Sequence, residues 1–497
     1  MRLYELLDSI EYTLHCGDTS KKIDFLTCDS KEVRPNSLFF AIEGTIEDGR
    51  NFIDEAIKKG ATAIALEEPF CGRNVELAEV AVIVVKDIRK TLADITCCFY
   101  NYPADSLKMI GVTGTKGKTS TTVLIHDILE MAGIKTGIIG TVCNGYTGNY
   151  TKSTCTTPNP IELQSTLREM VDAGCKAVVM EVSSQGLMQH RVEGIEFNIG
   201  VFTNIFPDHI GKGEHRDFLH YMECKKMLFD ACQKAIINGD DRNWPNVIKN
   251  VNLKTKIFFG QSDEYDFHFS DIEYYSEENS LGMRFKVAAK APYDHQQKRD
   301  MMINIPGEFN VRNALAAIAT TRALGVPWEI IKKALKTSHI PGRAEAVPLK
   351  KPYIVMVDYA HNGEALRNLL ECLKKYAPRR LIVVFGCGGQ RDRNRRFDMG
   401  RAAFDIADYI IITSDNPRNE NPMAIIEDIT SVMTFSEKVV LAIPDREKAI
   451  KRALMEAREE DIIVVAGKGH ETYQIIGDKI IDFDDKQVII SCGKDGI

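Results

Sequence analysis

A glycine-rich segment carries the most specific chemistry in the sequence. It consists of Gly114, Thr115, Lys116, Gly117, Lys118, Thr119 and Ser120. An apolar run at residues 107–113 predicts a buried strand before it, and apolar residues at helical spacing predict a helix after it. Glycines let backbone N–H groups approach a phosphate, and a helix N-terminus adds positive potential. The pattern predicts a nucleotide site in which Lys118 contacts the β- and γ-phosphates and Thr119 ligates Mg²⁺.

This segment departs from the strict phosphate-loop pattern GxxxxGK(S/T). That pattern requires its first glycine at position 112, where the sequence has valine, and the glycines stand at 111 and 114 instead. An ordinary glycine turn before a helix is therefore the alternative interpretation. The order of strand, loop, Lys-Thr and helix favours nucleotide binding.

Two more polar side chains follow predicted strands of the same central region. Glu181 ends the apolar run 177–180, and His209 comes after the run 199–203. Ligands of parallel sheets bind at the carboxyl ends of the strands, and a carboxylate there suits Mg²⁺. We predict Glu181 as a Mg²⁺ ligand and His209 as a second one. A hydrogen-bonded core histidine is the alternative interpretation for His209.

The C-terminal third alternates predicted buried strands with helices, which indicates a parallel sheet. The predicted strands are residues 353–357, 381–385, 409–413, 439–443 and 462–466, and a helix is predicted at 363–376. The loops after three of these strands supply the candidate ligand contacts. They are Arg391, Asp415, Asn416, Pro417, Arg418, Gly467 and Glu471. Because they follow strands of one sheet, we expect them to converge on a single ligand site. A solvated charge cluster is the alternative for Arg391.

The chain length and the alternation of predicted strands and helices indicate an α/β protein of three domains, at 1–103, 104–335 and 336–497. The chain has 497 residues, 44% of them hydrophobic, and a net charge of −7, so it lacks the basic character of nucleic-acid or membrane-surface proteins. Its apolar runs are too short to span a bilayer, and its acidic N-terminus argues against a signal peptide. The 13 scattered cysteines show no CxxC spacing, which favours reduced thiols in a cytoplasmic protein.

The spelling of the glycine-rich segment resembles the nucleotide loop of the Mur ligases. Further motifs of that family follow in order along the chain: Thr156-Thr157-Pro158, Glu181-Val182-Ser183-Ser184, Asp208-His209, residues 307–314, Gly342-Arg343, residues 358–361, residues 386–389, Asp415-Asn416-Pro417-Arg418 and residues 467–471. Thr-Thr-Pro, Gly-Cys-Gly-Gly and Asp-Asn-Pro-Arg are similar to the branch that adds the third amino acid of the murein peptide.

The resemblance implies an ATP- and Mg²⁺-dependent amide ligase that works through an acyl phosphate. Its domains would bind a UDP-sugar, ATP on a P-loop-type parallel sheet, and an amino acid on a Rossmann-like sheet. Lys118 would act in catalysis, Asn310 and Arg343 would contact the nucleotide, and Thr119, Glu181 and His209 would hold the metal. Lys225 matches a lysine that is carbamylated in the family and would be both catalytic and a metal ligand. The adjacent Lys226 competes for that role.

The resemblance also implies the substrates. UDP-MurNAc-L-Ala-D-Glu would contact six residues, namely Ser30, Thr156, Thr157, Ser183, Gln189 and Arg191. Arg418 complements the distal carboxylate of meso-diaminopimelate, which lysine lacks. Gln185 and the segment after Phe206 are closer to the lysine-adding branch, so L-lysine stays an alternative. A folate-polyglutamate ligase, a P-loop NTPase switch and an inactive nucleotide-binding scaffold are further alternatives. We expect a monomer without nucleic-acid partners or membrane insertion.

Overall fold

The computed structural model describes residues 1–44, 47–67, 80–153, 155–211, 213–277, 280–433 and 438–494. These residues form two compact units. One comprises Met1–Phe259 with Ala319–Leu324, and the other comprises Gly260–Ile318 with Gly325–Ile497. The domain boundaries expected from the sequence stay a prediction. Within the described ranges, every helix is too short or too polar to cross a membrane.

The first unit begins with a five-stranded sheet in the order β1-β5-β4-β3-β2. Only β1 runs antiparallel to its neighbour. The elements are α1 (Leu3–Leu6), β1 (Tyr12–Cys16), β2 (Phe25–Thr27), β3 (Ser37–Phe40), α2 (Ile53–Lys58), β4 (Ala61–Leu66), β5 (Ala81–Val85) and α3 (Ile88–Phe99). Helix α3 begins where it does because the Asp87 carboxylate accepts hydrogen bonds from the first free amides of the helix, at Arg89 and Lys90.

The same unit continues with a second sheet, in the order β13-β12-β11-β6-β10-β7-β8-β9. Its strands from β13 to β7 are parallel, whereas β8 and β9 are antiparallel. The elements are β6 (Lys108–Thr113), α4 (Lys118–Met131), β7 (Thr136–Ile139), β8 (Cys143–Tyr146), β9 (Asn149–Lys152), α5 (Pro160–Asp172), β10 (Ala177–Glu181), α6 (Ser184–Met188), β11 (Phe197–Phe202), α7 (Phe218–Asp230), β12 (Cys232–Asn238), α8 (Trp244–Val247) and β13 (Thr255–Gly260). The central strands are mostly apolar, as suits strands whose two faces are both covered.

An antiparallel meander and two helices follow. They are β14 (Phe267–Glu277), β15 (Ser280–Ala289), β16 (Arg299–Ile303), α9 (Glu308–Ala323) and α10 (Trp328–Thr337). Helix α10 is amphipathic and buries Trp328, Ile331 and Leu335 on one face.

The last sheet has six strands in the order β17-β18-β22-β19-β20-β21, all parallel except β17. The elements are β17 (Glu345–Ala346), β18 (Ile354–Asp358), α11 (Gly363–Lys374), β19 (Leu381–Phe385), α12 (Asn394–Ile406), β20 (Tyr409–Ile412), α13 (Pro422–Thr430), β21 (Val439–Ala442), α14 (Arg446–Glu456), β22 (Ile462–Ala466), the hairpin β23 (Tyr473–Ile476) and β24 (Lys479–Asp482), and α15 (Asp485–Lys494). The predicted parallel sheet and α/β class are confirmed.

One strand of this sheet differs from the sequence prediction. Residues 439–443 were expected to form a buried strand, but β21 is partly exposed, with Val439 at 42%. The reason is its position at the edge of the sheet, where only β20 pairs with it. Apolar content alone does not distinguish an edge strand from a central one.

A buried ion pair ties the last sheet together. Arg446, at the start of α14, is fully buried and pairs with Asp485 of α15 through two bonds of 2.7 Å. The same guanidinium donates to the carbonyl oxygens of Ser414 and Ala466, at the ends of β20 and β22. It therefore fixes two strand ends that precede predicted ligand residues.

We expect Arg446→Met to lower the free energy of unfolding by about 3–5 kcal/mol, because it leaves the Asp485 carboxylate buried without its partner. Urea denaturation followed by circular dichroism measures this change. Lys448→Met on the same helix is the matched control, since Lys448 is largely exposed and its loss should change stability by less than about 0.5 kcal/mol. A similar small loss for both variants would contradict the role given to Arg446.

Candidate active site

The glycine-rich loop lies between β6 and α4, as the sequence predicts. Gly117 has a φ of 85° directly before the helix, a conformation that side chains other than glycine rarely adopt. Gly114 has no room for a side chain, because a Cβ there would lie 1.9 Å from Oγ1 of Thr203. Thr119 and Ser120, in the first turn of α4, are buried. The loop therefore has the backbone freedom and the helix start that a phosphate site needs.

Two lysines converge on one carbonyl oxygen of this loop. Lys118 donates to Gly114 O at 2.8 Å and to Thr115 O at 3.1 Å, and Lys225 of α7 donates to the same Gly114 O at 2.9 Å. Lys225 is 1% exposed. Burial, followed by the nearby charge of Lys118, holds the pKa of Lys225 well below its ordinary value. A neutral amine is the form that can react with CO₂.

The neighbouring lysine has a different environment. Lys226 is partly exposed and pairs with Asp230 one helical turn later, at 2.7 Å. Its competing claim to the carbamylated position is therefore weak, because its ammonium group is partly solvated and held in an ion pair with Asp230.

Glu181 lies buried at the carboxyl end of β10, beside the start of α4. Its carboxylate accepts hydrogen bonds from the Thr119 hydroxyl at 2.9 Å and from the Thr141 amide at 2.7 Å. Gly140 allows this approach, because a Cβ at that position would lie 2.4 Å from a Glu181 oxygen. A carboxylate and a hydroxyl together form a donor set that suits Mg²⁺. Neither Thr141 nor Gly140 was selected by sequence reasoning, although both follow β7, the strand next to β10.

His209 lies in an exposed loop with a φ of 54°. Its side chain faces Glu214 at 3.4 Å and Asp208 at 3.9 Å. In the described part of the chain, no hydrogen bond or ion pair joins His209 to Glu181. Its role as a metal ligand therefore stays a prediction. Asp208, by contrast, contacts the glycine-rich loop through Lys116 at 3.2 Å.

A cavity of about 910 Å³ lies in the first unit. Ser30, Gln189 and Arg191 line it, three of the six residues expected to contact the UDP-sugar peptide. The Arg191 guanidinium donates to Thr157 O at 2.6 Å and to the Gln189 amide oxygen at 2.7 Å, so it is held in place. The Ser30 hydroxyl bonds Glu55 at 3.2 Å.

The other three of these residues lie near the end of β10 and do not line that cavity. The Thr157 hydroxyl lies 3.0 Å from Glu181 O and 3.1 Å from the Ser183 hydroxyl, and the Thr156 hydroxyl lies 3.1 Å from that of Thr141. Ser183 also caps α6 through the Gly186 amide. Thr156, Thr157 and Ser183 therefore form a hydroxyl cluster at the end of β10.

A second cavity, of about 240 Å³, lies in the second unit at the carboxyl ends of the last sheet. Six of the seven predicted amino-acid contacts line it. They are Arg391, Asp415, Asn416, Arg418, Gly467 and Glu471. Pro417 is buried beside them and is not part of the lining. The predicted convergence of three strand-end loops is confirmed by this arrangement.

Arg418 is held by its backbone as well as its side chain. Its φ is 52°, its N–H donates to Ile475 O at 3.1 Å, and its carbonyl oxygen accepts from Gly477 at 2.8 Å. The guanidinium donates to Gly389 O at 2.8 Å. The hairpin β23–β24 therefore fixes this arginine, a role that the sequence did not reveal.

A buried lysine holds Glu471, one of the carboxylates that line the second cavity, in place. Lys468 is fully buried and donates to Glu471 at 3.1 Å, and the Asn416 amide donates to the same carboxylate at 3.2 Å. Burial raises the pKa of Asp415, and the charge of Lys468 opposes that rise. Gly467 is needed beside Asp415, because a Cβ there would lie 2.7 Å from its carboxylate.

The two residues expected to contact the nucleotide from outside the loop lie in the second unit. Asn310 is 2% exposed, and its amide is bonded within its own turn to Pro306 O at 2.8 Å and to Asn313 at 3.0 Å. Arg343 lies over the ring of Tyr359, with its guanidinium 4.8 Å from the ring centroid. Their nucleotide contacts stay a prediction.

We expect Gly140→Ala to weaken Mg²⁺-dependent nucleotide binding about tenfold or more, because the added methyl would displace the Glu181 carboxylate. Isothermal titration with a nonhydrolysable ATP analogue measures the affinity. The control is Gly174→Ala at the far end of β10, where a Cβ meets nothing within 4 Å. That variant should keep its affinity even if a φ of 83° costs it some stability. Equal affinities would show that Glu181 does not depend on this glycine.

Comparison with known proteins adds the family. Models of the Mur ligase family catalytic domain, the Mur ligase middle domain and the Mur ligase glutamate ligase domain match residues 22–100, 112–321 and 342–469. Two UDP-N-acetylmuramoyl-L-alanyl-D-glutamate--2,6-diaminopimelate ligases, from Clostridium tetani and Clostridium perfringens, are each 40% identical to this chain. The first covers 98% of both chains, and the second 98% of this chain and 99% of its own.

Solved structures give the same result. One of a UDP-N-acetylmuramoyl-L-alanyl-D-glutamate--2,6-diaminopimelate ligase has a TM-score of 0.71 and 29% identity over 100% of this chain and 99% of its own. MurF ligase from Thermotoga maritima, in complex with ADP, shares the fold with a TM-score of 0.60 at 19% identity, over 96% of this chain and 97% of its own. With three matching segments in order and relatives that align along nearly all of its length, this chain belongs to the Mur ligase family.

Proposed function

We propose that this enzyme forms the amide bond between UDP-MurNAc-L-Ala-D-Glu and meso-diaminopimelate, with ATP converted to ADP and phosphate. The observation that carries the proposal is the second cavity, which presents arginines and carboxylates to the same small volume. The names of the relatives, which are 2,6-diaminopimelate ligases, support it. The ADP complex of the related MurF structure supports ATP as the nucleotide.

The charges of this cavity match a diamino dicarboxylic acid. Its cations are Arg391, Arg395 and Arg418, and its anions are Asp392, Asp415 and Glu471. Meso-diaminopimelate brings two carboxylates and two ammonium groups, so each charge of the ligand can find an opposite charge in the cavity lining. L-lysine lacks the distal carboxylate and would leave an arginine without a partner. The arginines therefore favour diaminopimelate over the lysine-adding alternative.

At the nucleotide end, the loop amides and Lys118 bind the phosphates of ATP. Lys118 now donates to loop carbonyl oxygens, and in the complex it turns to the β- and γ-phosphates. Mg²⁺ would be held by Thr119 and Glu181, with His209 and a carbamate on Lys225 as further ligands. When bound, it neutralises charge on the transferring phosphoryl group.

The reaction has two steps. A carboxylate oxygen of the D-glutamyl residue attacks the γ-phosphorus, which gives an acyl phosphate and releases ADP. The neutral amine then attacks the acyl carbon, the bond between that carbon and the phosphate oxygen breaks, and the nitrogen gives up one proton to the departing phosphate or to water. Glu471 lines the cavity, and we assign its carboxylate as the partner of the substrate's ammonium group. Asp358 is buried and accepts bonds from the Ala344 and Ala360 amides, so it supports the backbone instead.

The direct test is a product assay with ATP, Mg²⁺, UDP-MurNAc-L-Ala-D-Glu and a panel of diamino acids. We expect phosphate release only when both the nucleotide sugar and diaminopimelate are present, with the tripeptide product detected by mass spectrometry. Phosphate release without the amino acid would favour a P-loop NTPase switch. No release at all would favour an inactive scaffold. We also propose that the enzyme works as a monomer in the cytoplasm, which size-exclusion chromatography and cell fractionation test.

We expect Arg418→Ala to lower kcat/KM for diaminopimelate by ~30–1000-fold, corresponding to about 2–4 kcal/mol of transition-state binding, because the distal carboxylate loses its partner. The same variant should lose little of any residual activity with L-lysine. Arg393→Ala is the matched control, since Arg393 is exposed, pairs with Asp428 and does not line the cavity. Equal losses with both amino acids would contradict the assignment of Arg418.

We expect a carbamate on Lys225. Protein incubated with ¹³C-labelled bicarbonate should show one carbamate signal in the carbon-13 spectrum, because the buried amine is neutral enough to react. The signal should disappear in Lys225→Arg and persist in Lys226→Arg. Its persistence in Lys225→Arg would move the modification elsewhere.

A further inference from the structure

Two histidines and a cysteine lie together in the first unit, outside the set assigned to ATP and Mg²⁺. They are His215, which precedes α7, and His220 and Cys224, which lie one turn apart on that helix. One potential ligand atom from each lies within 4.8 Å of the others. His215 and Cys224 are buried, at 0% and 4% exposure, and His220 is half-buried.

His215 has a nitrogen without a partner. Its Nε2 lies 2.8 Å from the Ser184 hydroxyl oxygen, whereas its Nδ1 is buried and has no hydrogen bond among the described residues. A proton on Nε2 that is donated to Ser184 leaves the lone pair on Nδ1 available for a ligand. Such a hydrogen bond to the far nitrogen is the usual support of a metal-binding histidine. A buried nitrogen left unsatisfied is rare in proteins, and a bound cation would explain it.

His220 is also available. Among the described residues, its ring accepts one long hydrogen bond of 3.3 Å, from the Arg216 amide to Nδ1. Metal binding at either ring nitrogen would break this bond, because Nδ1 would then carry either the metal or the proton. The half-buried position of His220 gives an ion a route from solvent.

From this geometry we propose that His215, His220 and Cys224 form a binding site for a Zn²⁺-class transition-metal ion, separate from the Mg²⁺ residues. Two imidazoles and a thiolate are ligands that Zn²⁺ prefers, whereas Mg²⁺ prefers oxygen. A tetrahedral Zn²⁺ holds its ligand atoms ~3.3–3.7 Å apart, so small side-chain rotations close the site from its present 4.8 Å. Solvent supplies the fourth ligand.

The site would connect the loop that carries His209 to helix α7. The His215 backbone N–H donates to His209 O at 3.0 Å, and Cys224 directly precedes Lys225. A metal bound here therefore restrains two residues assigned to the Mg²⁺ site without contacting the nucleotide. Its effect is on loop order and stability.

The test uses full-length protein freed of metal with a chelator and titrated with Co²⁺. We expect one equivalent to bind and to give a thiolate-to-cobalt charge-transfer band in the near ultraviolet, with visible bands of tetrahedral intensity. Zn²⁺ should displace the Co²⁺, and X-ray absorption of the Zn²⁺ form should show nitrogen and sulfur neighbours. These signals do not require ligase turnover, so they can fail while the proposed function stands, and the reverse is also possible.

Variants make the assignment specific. Cys224→Ala should abolish the charge-transfer band, and His220→Ala should weaken Co²⁺ binding at least tenfold. Because His220 is half-buried, that variant should fold even if the cysteine variant does not. Cys98→Ala, a partly exposed cysteine on α3, is the control and should keep the full signal. A band that survives Cys224→Ala, or unchanged affinity in His220→Ala, would overturn the proposal.

Discussion

The central constraint of this structure is the pair of lysine ammonium groups that share the carbonyl oxygen of Gly114. Lys118 and Lys225 lie 2.8 and 2.9 Å from that oxygen, with Lys225 buried and Lys118 partly buried. Two positive charges so close to one neutral acceptor repel each other, and the repulsion is strong where the dielectric is low. This repulsion is relieved only when one of the two amines is neutral or when anions bind beside them. The proposed function would supply both, through the phosphate oxygens of ATP and through the carbamate proposed on Lys225.

The same principle operates in the second unit with the opposite result. There the buried charges are matched within the protein. Lys468 is paired with Glu471, and Arg446 with Asp485, so the cavity walls are rigid before any substrate binds. The arginines that line the cavity, together with Glu471, are the groups proposed to meet the ligand. Within the described residues, Arg391 has no carboxylate partner, whereas Arg393 and Arg396 of the same charged run are both paired with Asp428. Within this run, Arg393 and Arg396 are engaged in ion pairs, whereas Arg391 lines the cavity.

Much of this could be predicted because strand ends are easy to locate. Strands β19 and β22 lie at the predicted residues, and the loops after β19, β20 and β22 meet as expected. The exposure of the edge strand β21 could not be predicted, because the apolar content of a strand does not determine its place in the sheet. Gly140 and Thr141 escaped notice for a related reason. They become important only when β7 is known to lie beside β10, and that neighbour relation is set by long-range pairing.

Sequence spacing was also insufficient to show which side-chain atoms are already engaged within the protein. Asn310 belongs to a recognised motif, yet both ends of its amide are occupied within its own turn. Thr156, Thr157 and Ser183 are expected to contact substrate, and that contact stays a prediction. Their hydroxyls lie near the end of β10, outside the lining of the large cavity. A motif gives the identity of a residue, but only the fold shows which of its atoms are available.

The left-handed backbone of Arg418 has a consequence for how selectivity could change during evolution. The direction of its guanidinium depends on two main-chain bonds to the hairpin, at Ile475 and Gly477. Insertions or deletions in that hairpin would re-aim the arginine while leaving it in the sequence. Enzymes with an intact Asp-Asn-Pro-Arg signature could therefore differ in the amino acid they accept. The length of the hairpin would then predict the accepted amino acid better than the signature does.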